Sequence, residues 1–241
     1  MTNFSETTIA VTGASSGIGE ATVRELSSAG ARVFIGARRR QRLQSLSDEL
    51  GDRVAYRELD VTDAASFEAF VDAAHERFGG IDVLVNNAGV MPLSPLAALE
   101  REQWKRMIDV NVHGVLNGIA AVLPRFIAQS SGHIVNVASV AAHMVAPTAA
   151  VYCATKHAVW AISEGLRQEH DDIRCTVVSP GVVETELGHE ITDPQTAAAL
   201  KLWRKKSLQP DAIARAIRYA LEQPAGVDVS EIIVRPTAAD M

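Results

Sequence analysis

Tyr152 and Lys156 stand four residues apart in a segment that reads as a helix after Pro147. Four residues are about one helical turn, so both side chains share a face. A tyrosine ordinarily keeps its proton to pH about 10 and is a poor base near neutrality. An ammonium a few ångström away favours the phenolate and lowers that value. The spacing therefore predicts a tyrosine acid/base tuned by a lysine. Ser139 falls at the end of a candidate strand, 133–139, and offers a second hydrogen bond to a substrate oxygen. Tyr-x-x-x-Lys also arises by chance on amphipathic helices, so the reading turns on what surrounds it.

A second constellation lies near the start. The apolar run TTIAVT, 7–12, leads into Gly13-Ala14-Ser15-Ser16-Gly17-Ile18-Gly19, and EATVRELSSAG follows with helical spacing. Strand, glycine turn and helix aim backbone N–H groups at a phosphate. Gly13 suits the tight turn, Gly17 the approach of a pyrophosphate and Gly19 close helix–strand packing, with Ser15, Ser16 and Ile18 beside them. No Gly-Lys-Ser/Thr follows, which excludes a P-loop. GASSG also matches the nucleophile elbow of hydrolases, which would make Ser15 a nucleophile, but no Asp and His partners stand out. Dinucleotide binding is the better reading. The second strand, 32–36, ends in Ala37-Arg38-Arg39-Arg40, with Arg42 beyond. An acidic residue there would suit the ribose of NAD, whereas guanidinium groups bind a 2′-phosphate. NADP(H) is therefore the expected cofactor, preferred over NAD(H), with Arg38 and then Arg39 as its readers.

The remaining elements follow in alternation. We expect helices at about 40–50 and 63–78, strands at 53–59, 81–85 and 174–179, a long helix over 100–128, and a last helix and strand at about 210–222 and 230–235. Asp60 and Val61 follow the third strand, where an adenine would lie. Asn86 is expected to bind neighbouring backbone, and Asn87, Ala88 and Gly89 to contact the cofactor. Pro180, Gly181, Val183 and Thr185 follow the sixth strand and are expected near the nicotinamide or pyrophosphate. Segment 186–208 breaks the rhythm and is read as an inserted lid. Asn111 falls inside the long helix, where asparagine is a poor helix former, which hints at a kink with its amide in use. Strand–helix alternation predicts an α/β fold, a single doubly wound domain with about seven mostly parallel strands and helices on both faces.

Composition agrees. The chain has 241 residues, 47% of them hydrophobic, and a net charge of −6, which argues against a nucleic-acid footprint. Cys153 and Cys175 supply no disulfide framework and no metal pair, and no metal site is expected. Cys153 is read as a packing residue turned off the Tyr152/Lys156 face, and His143 as part of a loop wall. The opening MTNFSETTIAVTGASSG has no basic n-region and no long apolar run, so no signal peptide is expected, and no window of 18 apolar residues lacks a charge. A soluble cytoplasmic protein is expected.

TGASSGIG (12–19), NNAG (86–89), Asn111 in DVNVHG, Ser139, YCATK (152–156) and PGVVETEL (180–187) resemble the short-chain dehydrogenase/reductase family, in its order and close to its spacing. AVYCATKHAVWAISEGLRQE and SEIIVRPT look most like the NADP-dependent branch that includes clavulanic acid dehydrogenase and related carbonyl reductases. The resemblance implies a hydride-transferring oxidoreductase with a tetrad of Asn111, Ser139, Tyr152 and Lys156. It also implies a water held by Asn111, a nicotinamide ribose bound by Tyr152 and Lys156, and a homotetramer or dimer joined through the helices bearing Asn111 and Tyr152. The glycine-rich ending common in the family is missing. A small-molecule ketone or aldehyde, neutral and partly hydrophobic, is expected against Met91, Pro92, Val140, Met144, Val145, Val151 and Leu187. The alternatives are an NADP(H)-sensing binding protein without chemistry, and the larger sugar epimerase relatives, for which 241 residues leave no room.

Overall fold

The protein is described by a computed structural model over residues 4–238. The first residues of the segment read for a leader and the end of the C-terminal tail lie outside the described residues. Seven strands form one sheet: β1 (Thr8–Thr12), β2 (Arg32–Ala37), β3 (Val54–Glu58), β4 (Val83–Asn86), β5 (Gly132–Val137), β6 (Ile173–Pro180) and β7 (Glu231–Val234). Their order is β3-β2-β1-β4-β5-β6-β7 and every pairing is parallel. The order reverses between β1 and β4, and ligands of open α/β sheets bind at such a point, beyond the carboxyl ends of the strands.

Alternation along the strands divides the core in two. Ile9 and Val11 of β1, with Val33 and Ile35 of β2, face α1 (Gly17–Ser28), α2 (Arg40–Leu50) and α8 (Pro210–Leu221). Ala10, Phe34 and Leu84 face α3 (Ala64–Phe78), α5 (Gly114–Gln129) and α6 (Ala150–Glu169). Both faces are covered, which is why the strands read as continuous apolar runs.

The long helix expected over 100–128 is α4 (Arg101–Ile108), a π-helical turn at Asp109–His113, and α5. The π turn holds the buried Asn111, so the misfit of asparagine does mark a local distortion. The segment 101–129 is apolar and long enough to cross a membrane. In this fold Val115, Ile119, Val122 and Phe126 are buried against the sheet. The expected insertion contains a helix, α7 (Pro194–Trp203), capped by Asp193, whose carboxylate accepts from the N–H of Thr196 at 2.8 Å.

Gly118 lets α5 lie close to β4. A Cβ there would come within 2.5 Å of Asn86 Oδ1 and 2.9 Å of Phe67 Cζ. Asn86 cannot swing aside freely, because its amide donates to Asn136 Oδ1 at 2.9 Å. Gly165 in α6 has nothing within 4 Å of an added Cβ. Alanine improves helix propensity by about 1 kcal/mol at either site, whereas overpacking costs about 1–3 kcal/mol. Gly118→Ala should therefore lower the free energy of unfolding and Gly165→Ala raise it, by about 0.5–1 kcal/mol for the latter. Denaturant unfolding checks both, and equal effects at the two sites would contradict this packing.

Candidate active site

Residues just beyond the strands' carboxyl ends line one cleft of about 920 Å³. Tyr152 and Lys156 project into it from α6, and Ser139 from the turn after β5. All three are buried. Lys156 Nζ donates to the carbonyl of Val137 at 2.8 Å and lies 5.8 Å from the centre of the Tyr152 ring. Ser139 Oγ accepts from Ala141 N–H at 3.1 Å and donates to the Pro180 carbonyl at 3.4 Å. These bonds hold the serine between β5 and β6.

The expected downward shift of the tyrosine is not what this environment produces. Burial disfavours the phenolate and pushes Tyr152 up to about 12, with a hydrogen-bonding contact from Ser139 acting partly against it. Burial likewise lowers Lys156 to about 8. Tyr152 thus keeps its proton at neutral pH, as a proton donor must. If that proton leaves, the Lys156 ammonium, one turn on and facing the same ring, favours the phenolate.

Asn111 stands behind the cleft and does not line it. Its Oδ1 accepts from Val90 N–H at 2.9 Å, and its Nδ2 donates to Val90 O at 3.0 Å and Thr155 Oγ1 at 3.1 Å. Thr155 in turn donates to Tyr152 O at 2.7 Å. The amide ties the π turn to both the cleft wall and α6.

The glycine turn is built as its residues suggest. Gly13 and Gly17 have positive φ, 66° and 56°. A Cβ on Gly19 would meet the Gly13 carbonyl at 2.4 Å, so Gly19 serves packing and does not itself line the cleft. Ser16 precedes α1 without a side-chain cap, which leaves first-turn N–H groups for another acceptor. Asn87 braces the turn, its Nδ2 donating to Thr12 O at 2.9 Å and Gly13 O at 3.3 Å. Uncapped N–H groups, hydroxyls and guanidinium groups facing one cleft suit a phosphorylated dinucleotide. Gly13, Ser15, Ser16, Gly17, Ile18, Arg38, Arg39, Asp60, Val61, Asn87, Ala88, Gly89, Pro180, Gly181, Val183 and Thr185 all line it.

Several expectations need correction. Val145 is 67% exposed and outside the cleft. Val151 opens instead onto an outer apolar groove with Leu96, Ile108, Val112, Ala154 and Ala158, because α6 turns that face away from Tyr152. Pro92 is buried and does not line the cleft. Met91, Val140, Met144 and Leu187 do. Cys153 is buried among Val90, Leu93 and Met107, yet it also borders the cleft. Asn86 binds the side chain of Asn136, not backbone. His143 is paired with Glu231 at 2.6 Å and does not line the cleft. Sequence reasoning missed Thr12, whose Oγ1 accepts from the N–H groups of Asn87 and Ala88 at 3.0 and 3.1 Å. It also missed Thr155 and the salt bridges of Glu186, since partners so distant in the chain leave no local pattern.

The short chain dehydrogenase family model matches residues 7–196. An uncharacterized oxidoreductase of Staphylococcus saprophyticus is 48% identical over the whole of both chains. The structure superposes on an alcohol dehydrogenase from the archaeon Thermococcus sibiricus complexed with 5-hydroxy-NADP, with TM-score 0.87 and 34% identity over 97% of each chain. It superposes equally well on the closed form of a serine dehydrogenase complexed with NADP+, with TM-score 0.88 and 33% identity over 94% of each chain.

The two titrations have opposite signs. Lys156 loses protons in the folded state before the unfolded chain does, so the unfolded state binds more protons between pH 8 and 10.5. In that window the parent should gain stability relative to Lys156→Met as pH rises. Tyr152 should lose stability relative to Tyr152→Phe between pH 10 and 12. Denaturant unfolding over this range checks both, and flat difference curves would contradict the burial argument.

Proposed function

This chain belongs to the short-chain dehydrogenase family, and we propose that it is an NADP(H)-dependent oxidoreductase interconverting a ketone or aldehyde and its alcohol. The observation that carries the reading is the convergence of buried Tyr152, Lys156 and Ser139 on the cleft that the glycine turn and Arg38 also enter. The nicotinamide, when bound, supplies or accepts the hydride.

The chain's own residues do the rest. Ser139 and Tyr152 hold the substrate oxygen between two hydroxyls. In reduction Tyr152 gives its proton to that oxygen as the carbonyl carbon becomes tetrahedral. In oxidation it takes the alcohol proton back. Lys156 stabilises the phenolate by charge, and its bond to Val137 keeps it in place. Asn111 is a positioning residue, acting through Val90 and Thr155. Arg38, exposed just beyond β2 and with no side-chain hydrogen bond among the described residues, would meet a 2′-phosphate.

The comparisons reach the family without reaching the clavulanic acid dehydrogenase branch, so the substrate is argued from the cleft. Val90, Met91, Leu93, Met144 and Leu187 favour a neutral, partly hydrophobic carbonyl compound. One observation supports a second reading: Arg204 also borders the cleft, and its buried Nε has no partner among the described residues. Its guanidinium charge would suit a substrate carboxylate, as a hydroxy acid carries, and the serine dehydrogenase likeness points the same way.

We also propose a homotetramer or dimer joined through α5 and α6. The outer groove that contains Ile108, Val112 and Val151 supports it, with Ile108 42% and Leu116 41% exposed. Ile108→Glu should shift the mass measured by light scattering toward the monomer, and an unchanged mass would place the interface elsewhere.

Consumption of NADPH and NADH against ketones, aldehydes and hydroxy acids tests the function. Parent protein should turn over with NADPH in preference to NADH. Tyr152→Phe should lose about 10²-fold or more in kcat, the usual scale for a positioned acid, while still binding NADPH. Retained turnover in that variant would sink the assignment, and equal use of both nucleotides would reduce the arginines to a solvated run.

A further inference from the structure

Glu186 follows Thr185 at the start of the segment that borders the cleft beyond β6. Its carboxylate accepts from Arg39 Nη1 at 2.6 Å through one oxygen and from Arg42 Nη1 at 2.8 Å through the other. Arg39 is held further by Ser15 Oγ at 3.0 Å and Ser16 Oγ at 2.7 Å. Through Arg39 this carboxylate joins the glycine turn to the segment after β6, and Ser15, Ser16, Arg39 and Glu186 all line the cleft, with Arg42 of α2 just behind them. The segment is pinned a few residues on as well, where Glu190 pairs with Arg106 of α4 at 2.6 Å.

Arg39 and Arg42 are guanidinium groups of the kind that binds a 2′-phosphate bidentately, and here an internal anion already holds them. Arg38 belongs to the same cluster, but its side chain makes no hydrogen bond among the described residues. It acts on Asp60 and Glu190 only through its charge.

We propose that Glu186 is a specificity-determining residue for the nucleotide, its carboxylate competing with the 2′-phosphate for Arg39 and Arg42. Binding of a 2′-phosphorylated nucleotide then exchanges one anion for another. The incoming group carries more charge and three acceptor oxygens, and it gains Arg38 besides, so the exchange runs forward. A nucleotide with a free 2′-hydroxyl cannot drive it and leaves the Glu186 pairs intact. Discrimination is the difference between those two outcomes, and the displaced carboxylate subtracts from it. Preference for the 2′-phosphate is therefore weaker than three arginines alone would give, and Glu186 is where it is set. The inference rests on the NADP reading above.

Calorimetry with 2′,5′-ADP and 5′-AMP separates the two, with no need for turnover. Parent protein should bind 2′,5′-ADP more tightly than 5′-AMP. Glu186→Gln keeps the shape and removes the charge. It should tighten 2′,5′-ADP about 3- to 10-fold, the scale of two exposed ion pairs. 5′-AMP should stay within about twofold, as for an ordinary surface substitution. Unchanged affinity for 2′,5′-ADP, or equal tightening of both ligands, would overturn the role of Glu186 while leaving the NADP reading intact. A parent with no preference for 2′,5′-ADP would overturn that reading itself, and the proposal with it.

Discussion

The bond from Lys156 Nζ to the Val137 carbonyl, 2.8 Å long, joins α6 to the end of β5. The site is assembled about that joint. It sets the height of α6 over the sheet, and with it the position of Tyr152 one turn earlier. Ser139 follows two residues after Val137, so the same strand end places both hydroxyls. A buried ammonium is costly unless it is hydrogen-bonded. Val137 meets that need with a carbonyl left over where the strand stops, without a counter-charge that would cancel the lysine's effect on the tyrosine.

Behind this joint stands a second layer of polar bonds in place of apolar packing. Asn111 grips Val90 twice and reaches Thr155. Asn86, Asn136 and Ser163 form a buried chain from β4 through β5 to α6. Such networks are stabilising only when every member is satisfied, and they then fix one arrangement. That suits a cleft whose reacting groups must be held to a fraction of an ångström. The nucleotide side differs. Its charged groups are exposed and paired across the cleft mouth, so they can exchange partners.

Much of this was legible in the sequence. Parallel order followed from continuous apolar strands alternating with helices, and the glycine turn from Gly13, Gly17 and Gly19 between the first strand and helix. Asn111 betrayed the π turn because asparagine competes with the helical backbone. Other features were not legible, each for a physical reason. The direction of the Tyr152 shift depends on how deeply α6 is buried, and four-residue spacing is silent about depth. Val151 sits one residue from Tyr152, and a helix turns about 100° per residue, which carries it to the outer face. Glu186 meets Arg39 only because the segment after β6 crosses over the β1 turn, and a contact between strand ends so far apart in the chain has no sequence period.

The most direct test of the central claim follows the hydrogen itself. Parent protein would be mixed with nicotinamide-4-deuterated NADPH and a carbonyl substrate found in the panel, and the alcohol product examined by mass spectrometry and NMR. The account predicts one deuterium on the carbinol carbon when the correct face of the nucleotide is labelled, and a solvent-derived proton on the oxygen. Alcohol without deuterium from either labelled face would contradict hydride transfer in this cleft.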